Sequence, residues 1–547
     1  METKEYIVAL HEGVDYDQFW LDMENVTSGL THIPDRAVSI TNNRTAFKRL
    51  CEYALTDDEA DRVRNDSRVI GIEIPVRNNP NVSIVHNIVE DKNFNKTTSG
   101  AGNEVNWGLV RHSRTNNVYG TGLTTSEKYN YGLDGSGVDV VISDTGLQAD
   151  HPEFTGRVTQ INWTAFCANY SGNSYRDTNG HGTHVAGIAA GTTYGWAKGA
   201  NVIPLTYTDT NPNGEPLDGF EALINWHRSK NGSKPTVVNM SWGLSLNVTN
   251  ILSYLTGGIY RGTPWTIGKA PGGATGIGIT ADGSNPVQIP YYTDVYNSAM
   301  AEVIDAGITV VQAAGNEGSK VDIAGGIDYD NQITINNVSP GIAYYHRGFS
   351  PADPRVILVG NLDYQTESNG LDRRSVPFRS NAGPRIDVWA AGTYIMSACS
   401  NTYSLGGAIA GSYQHGNTNY KQINISGTSM SAPQITGMCA LYLQKNPTAT
   451  PVEVKTWIKN TSIKNKIYST GLNNDYTNPK SLLGGTAGIA YQNLQATPTN
   501  KSYIKDNTNT WREARAVYVK HSDGTWKQAR LGWKKNDAGV WDKIYQL

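Results

Sequence analysis

KQINISGTSMSAPQITGM, residues Lys421–Met438, decides how this chain is read. Its centre, Gly427-Thr428-Ser429-Met430-Ser431-Ala432-Pro433, is a tight glycine turn that presents a serine and runs at once into an apolar segment with helical spacing. A serine that opens a helix has its side chain held out of the turn, near backbone N–H groups with no partner inside the helix. That setting suits a nucleophile whose reaction builds negative charge. Pro433 is expected in the first helical turn, where its missing N–H costs nothing.

A serine hydroxyl needs a base to take its proton and a third group to orient that base. Working back along the chain, Asn179-Gly180-His181-Gly182-Thr183-His184-Val185-Ala186-Gly187 is another glycine turn entering an apolar helical stretch. Earlier still, Gly135 to Gly146 (GSGVDVVISDTG) reads as a turn, a buried strand and an acid, Asp144, at the strand's C-terminal end. In open α/β sheets that end of the strand is where sites are built. His181 and His184 could suggest a metal pair, but the spacing lacks the glutamate of H-E-x-x-H, and His184 is expected to pack in its helix.

The order Asp144, His181, Ser429 is one of three unrelated orders in which such triads occur. With these motifs the chain resembles the subtilisin-like serine proteases (subtilases), and among them the proteinase K branch. The Asp motif continues into His151-Pro152-Glu153-Phe154, and a fourth block, Ala313-Ala314-Gly315-Asn316-Glu317, matches the family's oxyanion asparagine at Asn316. The resemblance implies a doubly wound parallel α/β sheet and a serine endopeptidase that needs no cofactor for its chemistry. It implies Ser429 as nucleophile, His181 as general base, Asp144 as its orienting partner and Asn316 as oxyanion donor. Ser241-Trp242-Gly243 matches the strand that pairs with substrate, with Gly315 assigned to substrate binding beside it. Trp242 departs from the smaller residue usual there. Large apolar or aromatic residues before the scissile bond are expected by resemblance. The short segment Thr192–Gly199 implies that the strong calcium loop of subtilisins proper is missing. A structural Ca²⁺ site of the proteinase K branch maps onto the carbonyls of Pro354 and Val356 and the carboxylate of Asp387.

At 547 residues the chain suggests two to four domains. A formal net charge of −3 gives no pointer to nucleic acid or to an anionic membrane surface. Only 17% of residues are charged, and Gly, Asn, Thr, Ser and Tyr are abundant, a composition common in extracellular or particle-borne proteins. Four cysteines, Cys51, Cys167, Cys399 and Cys439, are too dispersed for a disulfide framework; one bridge, first of all Cys167 with Cys399, stays open. No apolar run reaches the ~18–20 residues that span a bilayer. Met1-Glu2-Thr3-Lys4-Glu5 carries no secretory-signal pattern, so for an extracellular or virion-associated location the export route is unknown, the signal has been removed, or the protein leaves its cell by another path, such as lysis.

Residues 1–77 read β-α-β-β-α-β, the ferredoxin-like α+β order. Strands are expected at Tyr6–Leu10, Arg36–Thr41, Ala46–Leu55 and Arg68–Ile74, with helices from Tyr16 to Asn25 and from a capping box at Thr56–Glu59. This resembles the inhibitor prodomain of many subtilases, against the alternative of an unrelated small module. Residues 78–105 read as a linker in which autocleavage would fall, and 106–492 as the catalytic domain with alternating strands and helices. Leu244–Pro290, Ser319–Ser350 and Ser400–Lys421 exceed the family core and are expected as loops on the cleft rim. After a linker at 493–510, Trp511, Trp526 and Trp541 recur every 15 residues, with turns at Ser522-Asp523-Gly524 and Asp537-Ala538-Gly539. The small β repeat module 511–547 resembles Trp-rich modules of phage and particle surfaces. Its expected partner is a virion or surface assembly, beside protein or peptide substrates and the chain's own prodomain. The alternative function is a structural or adhesive particle protein that uses the protease domain as scaffold or only for its own maturation.

Overall fold

The computed structural model describes residues 3–24, 33–79, 81–85, 89–90, 106–119, 129, 131–172, 174–206, 215–232, 234–248, 254–266, 276–279, 287–336, 341–376, 380–403, 409–410, 419–471, 475–476, 478 and 480–494. It also describes six strands between 502 and 545, and gives backbone alone for these strands and for 83–85, 89–90, 247–248, 287 and 409–410.

The chain begins with β1 (Lys4–Leu10), α1 (Tyr16–Glu24), β2 (Ile40–Asn42), β3 (Leu50–Leu55), α2 (Asp57–Arg64) and β4 (Val69–Glu73). They form an antiparallel sheet in the order β2-β3-β1-β4. The α2 capping box is complete: Glu59 N–H donates to Thr56 Oγ1, and Thr56 N–H donates to Glu59 Oε2. Alternation in β1 explains its unbroken apolar run. Tyr6, Val8 and Leu10 face Phe19, Met23 and Val63, whereas Ile7 and Ala9 join the core of the larger body. β3 starts later than the sequence suggests because the preceding N–H groups bind acids of two helices in the larger body. Ala46 N–H donates to Glu221, and those of Lys48 and Arg49 donate to Glu302.

Two short strands follow, β5 (Val82–Val85) and β6 (Val89–Glu90). The larger body then runs β7 (Asp139–Asp144), α3 (His181–Ala190), β8 (Asn201–Thr206), α4 (Pro216–Ser229) and β9 (Thr236–Met240). Next come β10 (Gly243–Val248), β11 (Leu255–Tyr260), β12 (Thr263–Thr266), β13 (Val287–Pro290), α5 (Asp294–Asp305), β14 (Thr309–Ala313), β15 (Gln332–Ile335) and β16 (Ile342–Ala343). The body closes with β17 (Ile357–Thr366), β18 (Asp372–Arg374), β19 (Val388–Ala391), β20 (Ile395–Cys399), β21 (Ile409–Ala410), β22 (Lys421–Ser426), α6 (Thr428–Lys445), α7 (Pro451–Thr461), β23 (Ile467–Tyr468) and β24 (Gly488–Ile489).

Seven parallel strands lie in the order β8-β7-β9-β14-β17-β19-β24, with β18 antiparallel beside β17. Every residue of β7, β9 and β14 is buried, as expected for strands covered on both faces. The expected parallel α/β sheet is therefore present. The inserted segments are not simple loops. β11 and β12 of the first pair with β15 and β16 of the second in one antiparallel sheet, β12-β11-β15-β16.

The N-terminal sheet sits on α4 and α5. Arg44, fully buried, donates to Glu52 Oε1 (2.7 Å) and to Asp218 Oδ1 (2.8 Å), and Arg77 binds Glu52 Oε2 at 2.7 Å. Removing one partner from such a buried set costs about 3–5 kcal/mol, because a charge is left unpaired. All four cysteines are buried thiols. Cys167 Sγ lies against Glu221 and Cys399 Sγ donates to Ser400 O, so the Cys167–Cys399 bridge is not formed.

Residues 130–133 and 494–547 form a separate unit. It holds three hairpins: β25 (Ser502–Lys505) with β26 (Trp511–Ala514), β27 (Tyr518–Lys520) with β28 (Trp526–Gln528), and β29 (Leu531–Lys535) with β30 (Trp541–Tyr545). Each second strand opens on a repeat tryptophan, and Lys505, Lys520 and Lys535 take the same register opposite it. The turns at 522–524 and 537–539 lie outside the described residues.

Burial holds five histidines well below the ordinary value: His112, His184 and His346 fall to about 3, His151 and His227 to about 4. His112 shows the reason for staying neutral. Its Nδ1 donates to Ala490 O while its Nε2 accepts from Ala391 N–H, a role that protonation would abolish. The unfolded chain binds protons at these sites below pH ~6.5 and the folded chain does not, so their contribution is complete above that pH and is lost toward pH 3–4. For the full chain carrying Ser429→Ala, the urea midpoint should fall between pH 6.5 and 5, the unfolding free energy dropping by up to about 1.4 kcal/mol per pH unit for each histidine. A flat midpoint over that interval would contradict this.

Candidate active site

Asp144 ends β7 and His181 begins α3. His181 Nδ1 lies 2.6 Å from Asp144 Oδ1, both side chains are fully buried, and the same oxygen accepts Thr145 N–H at 2.8 Å. A carboxylate held by this bond fixes the imidazole with its proton on Nδ1, leaving Nε2 as the basic nitrogen. The turn into α3 needs glycine: Gly180 has φ 99°, and a Cβ there would come within 2.4 Å of the Tyr403 ring.

Asp177, which sequence reading passed over, ties these elements together. Its Oδ2 accepts Thr183 N–H (2.8 Å) and Oγ1–H (2.6 Å); its Oδ1 accepts Gly180 N–H (2.7 Å) and Thr145 Oγ1–H (2.9 Å). Thr145 Oγ1 in turn accepts Gly182 N–H at 2.8 Å. Burial raises the Asp177 pKa against the pull of these donors. Ser400 and Thr402, in the third inserted segment, both donate to Asp177 O at 2.6 Å. The D-x-x-G-H-G-T-H spacing was the available signal, since an acid before a glycine turn can serve the N–H groups that open a helix.

Ser429 is the second residue of α6, after Gly427 at φ 148°. Its Oγ donates to Ser241 O at 3.1 Å. Pro433 stands inside α6, not in its first turn as expected. A proline there withholds the N–H that would bond the carbonyl four residues back, that of Ser429. Ser429 O accepts Ser241 Oγ–H instead, at 2.9 Å. The proline thus leaves the serine's own carbonyl available to fasten α6 to the Ser241 segment, which Asn239 and Thr436 brace further.

Asn316 follows β14. Its Oδ1 accepts Thr428 N–H at 2.9 Å and Thr428 Oγ1–H at 3.1 Å. With the oxygen end anchored to Thr428, the Nδ2 end is the one directed away from it. Ser241, Trp242, Gly243, Gly315, Asn316 and Ser429 line one cleft. The Trp242 ring does not fill it: this side chain is 2% exposed, stacked on Phe220 at 6.1 Å in the core. Phe349, unforeseen from sequence and carried by the second inserted segment, lines the cleft instead. A Cβ on Gly243 would lie 2.4 Å from Phe349 Cβ, and one on Gly315 would lie 2.5 Å from Phe349 Cε2.

β10 is flanked by β13 and β5. β5 runs antiparallel to it, with Gly243 opposite Val85 and Leu246 opposite Val82. β6 lies antiparallel to β22, with Ser426 opposite Val89. β5 thus pairs with the strand whose Gly243 lines the cleft, and β6 with the strand that leads into the serine turn.

Pro354 O, Val356 O and Asp387 also come together, around the ammonium of Lys455. His184 Nε2 reaches Ile395 O and Ile423 O, both at 3.0 Å, and is a packed helix residue. Among the described residues no group of three or more His, Cys, Asp or Glu is placed to hold a metal, and no helix is long and apolar enough to cross a membrane.

The model of the subtilase family, peptidase S8, matches residues 135–494. The extracellular serine proteinase of Thermus sp. strain Rt41A is 29% identical over 393 residues, 71% of this chain and 69% of that protein. Subtilisin-like protease 1 of Pseudogymnoascus destructans is 28% identical over 498 residues, 89% of this chain and 88% of that one. Among solved structures, a cold adapted subtilisin-like serine proteinase is 26% identical, aligned over 71% of this chain and 99% of that chain with a TM-score of 0.44. The family model spans well over half of the sequence, and the chain belongs to the subtilases, the subtilisin-like serine proteases.

Proposed function

We propose that the chain is a serine endopeptidase made as a self-inhibited precursor, which cuts itself between Val85 and Val89. The observation that carries this reading is the pairing of β5 with β10 and of β6 with β22. An extended segment paired by main-chain hydrogen bonds on both sides of a nucleophile lies as a peptide substrate would. The N-terminal sheet, seated on α4 and α5, feeds that segment into the cleft. Release of residues before the cut frees the strand edges for other protein substrates.

In the proposed reaction Ser429 Oγ attacks the scissile carbonyl while His181 Nε2 takes its proton. Asp144 holds the imidazole through Nδ1 and stabilises the imidazolium. Asn316 Nδ2 and the backbone N–H of Ser429 donate to the developing oxyanion; a side-chain donor of this kind contributes about 3–4 kcal/mol. The imidazolium then protonates the leaving amine, and water hydrolyses the acyl-serine by the same steps in reverse. Asp177 acts as a positioning residue through the turns on which Asp144 and His181 stand. Ser241, Gly243 and Gly315 bind the substrate backbone and wall its first pocket.

Phe349 sets the size of that pocket. With its ring between Gly243 and Gly315, Phe349 restricts the residue before the scissile bond to one smaller than the aromatic side chain implied by resemblance. The three hairpins of 502–545 fit an attachment module for a particle or surface assembly, supported by their common register. The extracellular location of the Thermus relative supports action outside the cell.

Two measurements test this reading. Once the N-terminal segment has been removed, a fluorophosphonate should phosphonylate Ser429 with loss of fluoride, adding the probe mass less HF to the peptide that contains it. Protein that stays unlabelled in that state would favour a scaffold. On peptide libraries the enzyme should favour Val or Asn over Phe before the cut, and Phe349→Ala should shift the Phe-to-Val ratio of kcat/KM upward about tenfold or more. An unchanged ratio would remove Phe349 from the pocket.

A further inference from the structure

The oxygens assigned by resemblance to calcium are Pro354 O, Val356 O and the Asp387 carboxylate. Lys455, one turn into α7, places its ammonium among all three: 2.6 Å from Pro354 O, 2.8 Å from Val356 O and 2.7 Å from Asp387 Oδ2. A lysine has three protons to donate, and each has an acceptor here. Arg385 adds a second cation. Its Nη1 lies 2.6 Å from Asp387 Oδ2, and its Nη2 donates to Val356 O and Asp353 O, both at 2.9 Å. Lys459, four residues beyond Lys455, approaches Asp387 Oδ1 at 3.3 Å. Leu358 N–H also donates to Asp387 Oδ2.

These residues do not fit a calcium ion. Ca²⁺ takes about six to eight oxygens at roughly 2.3–2.6 Å, and its charge is balanced by carboxylates. Here one buried carboxylate already faces three cationic side chains, and the carbonyls are committed as acceptors. A divalent ion would have to expel an ammonium and then sit beside two further positive charges.

We propose that Lys455 is the resident cation of this site: its ammonium stands where calcium is implied, and this part of the fold is held without a metal. α7 supplies the lysine in a fixed position, because its first turn is locked by the Thr450–Glu453 capping box. The arrangement joins α7 to the loop before β17 and to the start of β19, so a bond to a soluble ion is replaced by one within the chain.

Thermal unfolding of the full chain, made inactive by Ser429→Ala, tests this with 1 mM calcium and with EGTA. The expected result is the same melting temperature, within about 1 °C, in both conditions. Lys455→Met in that background should melt about 3–5 °C lower in EGTA, since it removes the cation shared by Asp387, Val356 O and Pro354 O and leaves Pro354 O without that donor. Lys455→Arg, which keeps a cation within reach, should recover most of the loss and shows the effect if Lys455→Met does not fold. A calcium-dependent rise of several degrees in the Ser429→Ala chain that Asp387→Asn abolishes would overturn the proposal. So would a Lys455→Met chain that melts with its parent in EGTA.

Discussion

A buried carboxylate must find donors, and in this protein that requirement organises the active site. Asp144 satisfies it with Thr145 N–H and the His181 imidazole, Asp177 with the N–H and hydroxyl groups of both flanking turns. Because these donors are spread over the turn after β7, the turn before α3 and α3 itself, these parts can only be assembled together. The imidazole orientation is therefore a consequence of satisfying two acids out of water. The same logic reaches the serine. Pro433 denies Ser429 O its helical donor, and Ser241 provides another, which fixes the helix that carries Ser429 against the segment that lines the cleft.

The N-terminal sheet uses two kinds of contact to hold its position. Ile7, Ala9, Phe47 and Leu50 bury apolar area against α4 and α5, while Arg44, Glu52, Arg77 and Asp218 set the register through charges that tolerate no mismatch. β5 then continues from this platform onto β10. Burial anchors the segment and main-chain pairing aims it, so in the proposed reading inhibition and self-cleavage are two outcomes of one geometry. Cutting between β5 and β6 would leave the platform bound only through its own interface.

Much of this was legible in the sequence because the turns around Asp144, His181, Asn316 and Ser429 require particular residues locally. The ferredoxin-like order was legible for the same reason: capping signals and alternation are local properties. What escaped depends on partners distant in sequence. β3 lost its first residues to Glu221 and Glu302, over 170 positions away. The inserted segments looked like loops one at a time, yet β11 and β15 complete each other's sheet. Phe349 carries no motif; it reaches the cleft because the second insertion returns there. The three oxygens implied for calcium meet in space, but the cation among them is Lys455, nearly 70 residues beyond Asp387. Pro433 was misplaced because its compensating donor lies on Ser241.

The most direct test of self-processing is intact mass, followed over time, of purified full-length protein beside Ser429→Ala. The account predicts that only the active chain shortens, losing roughly 9–10 kDa at the mean residue mass given by 59.5 kDa over 547 residues. Its new N-terminus should fall at positions 86–89. An active chain that stays whole, a Ser429→Ala chain that shortens equally, or a cut outside that interval would contradict it.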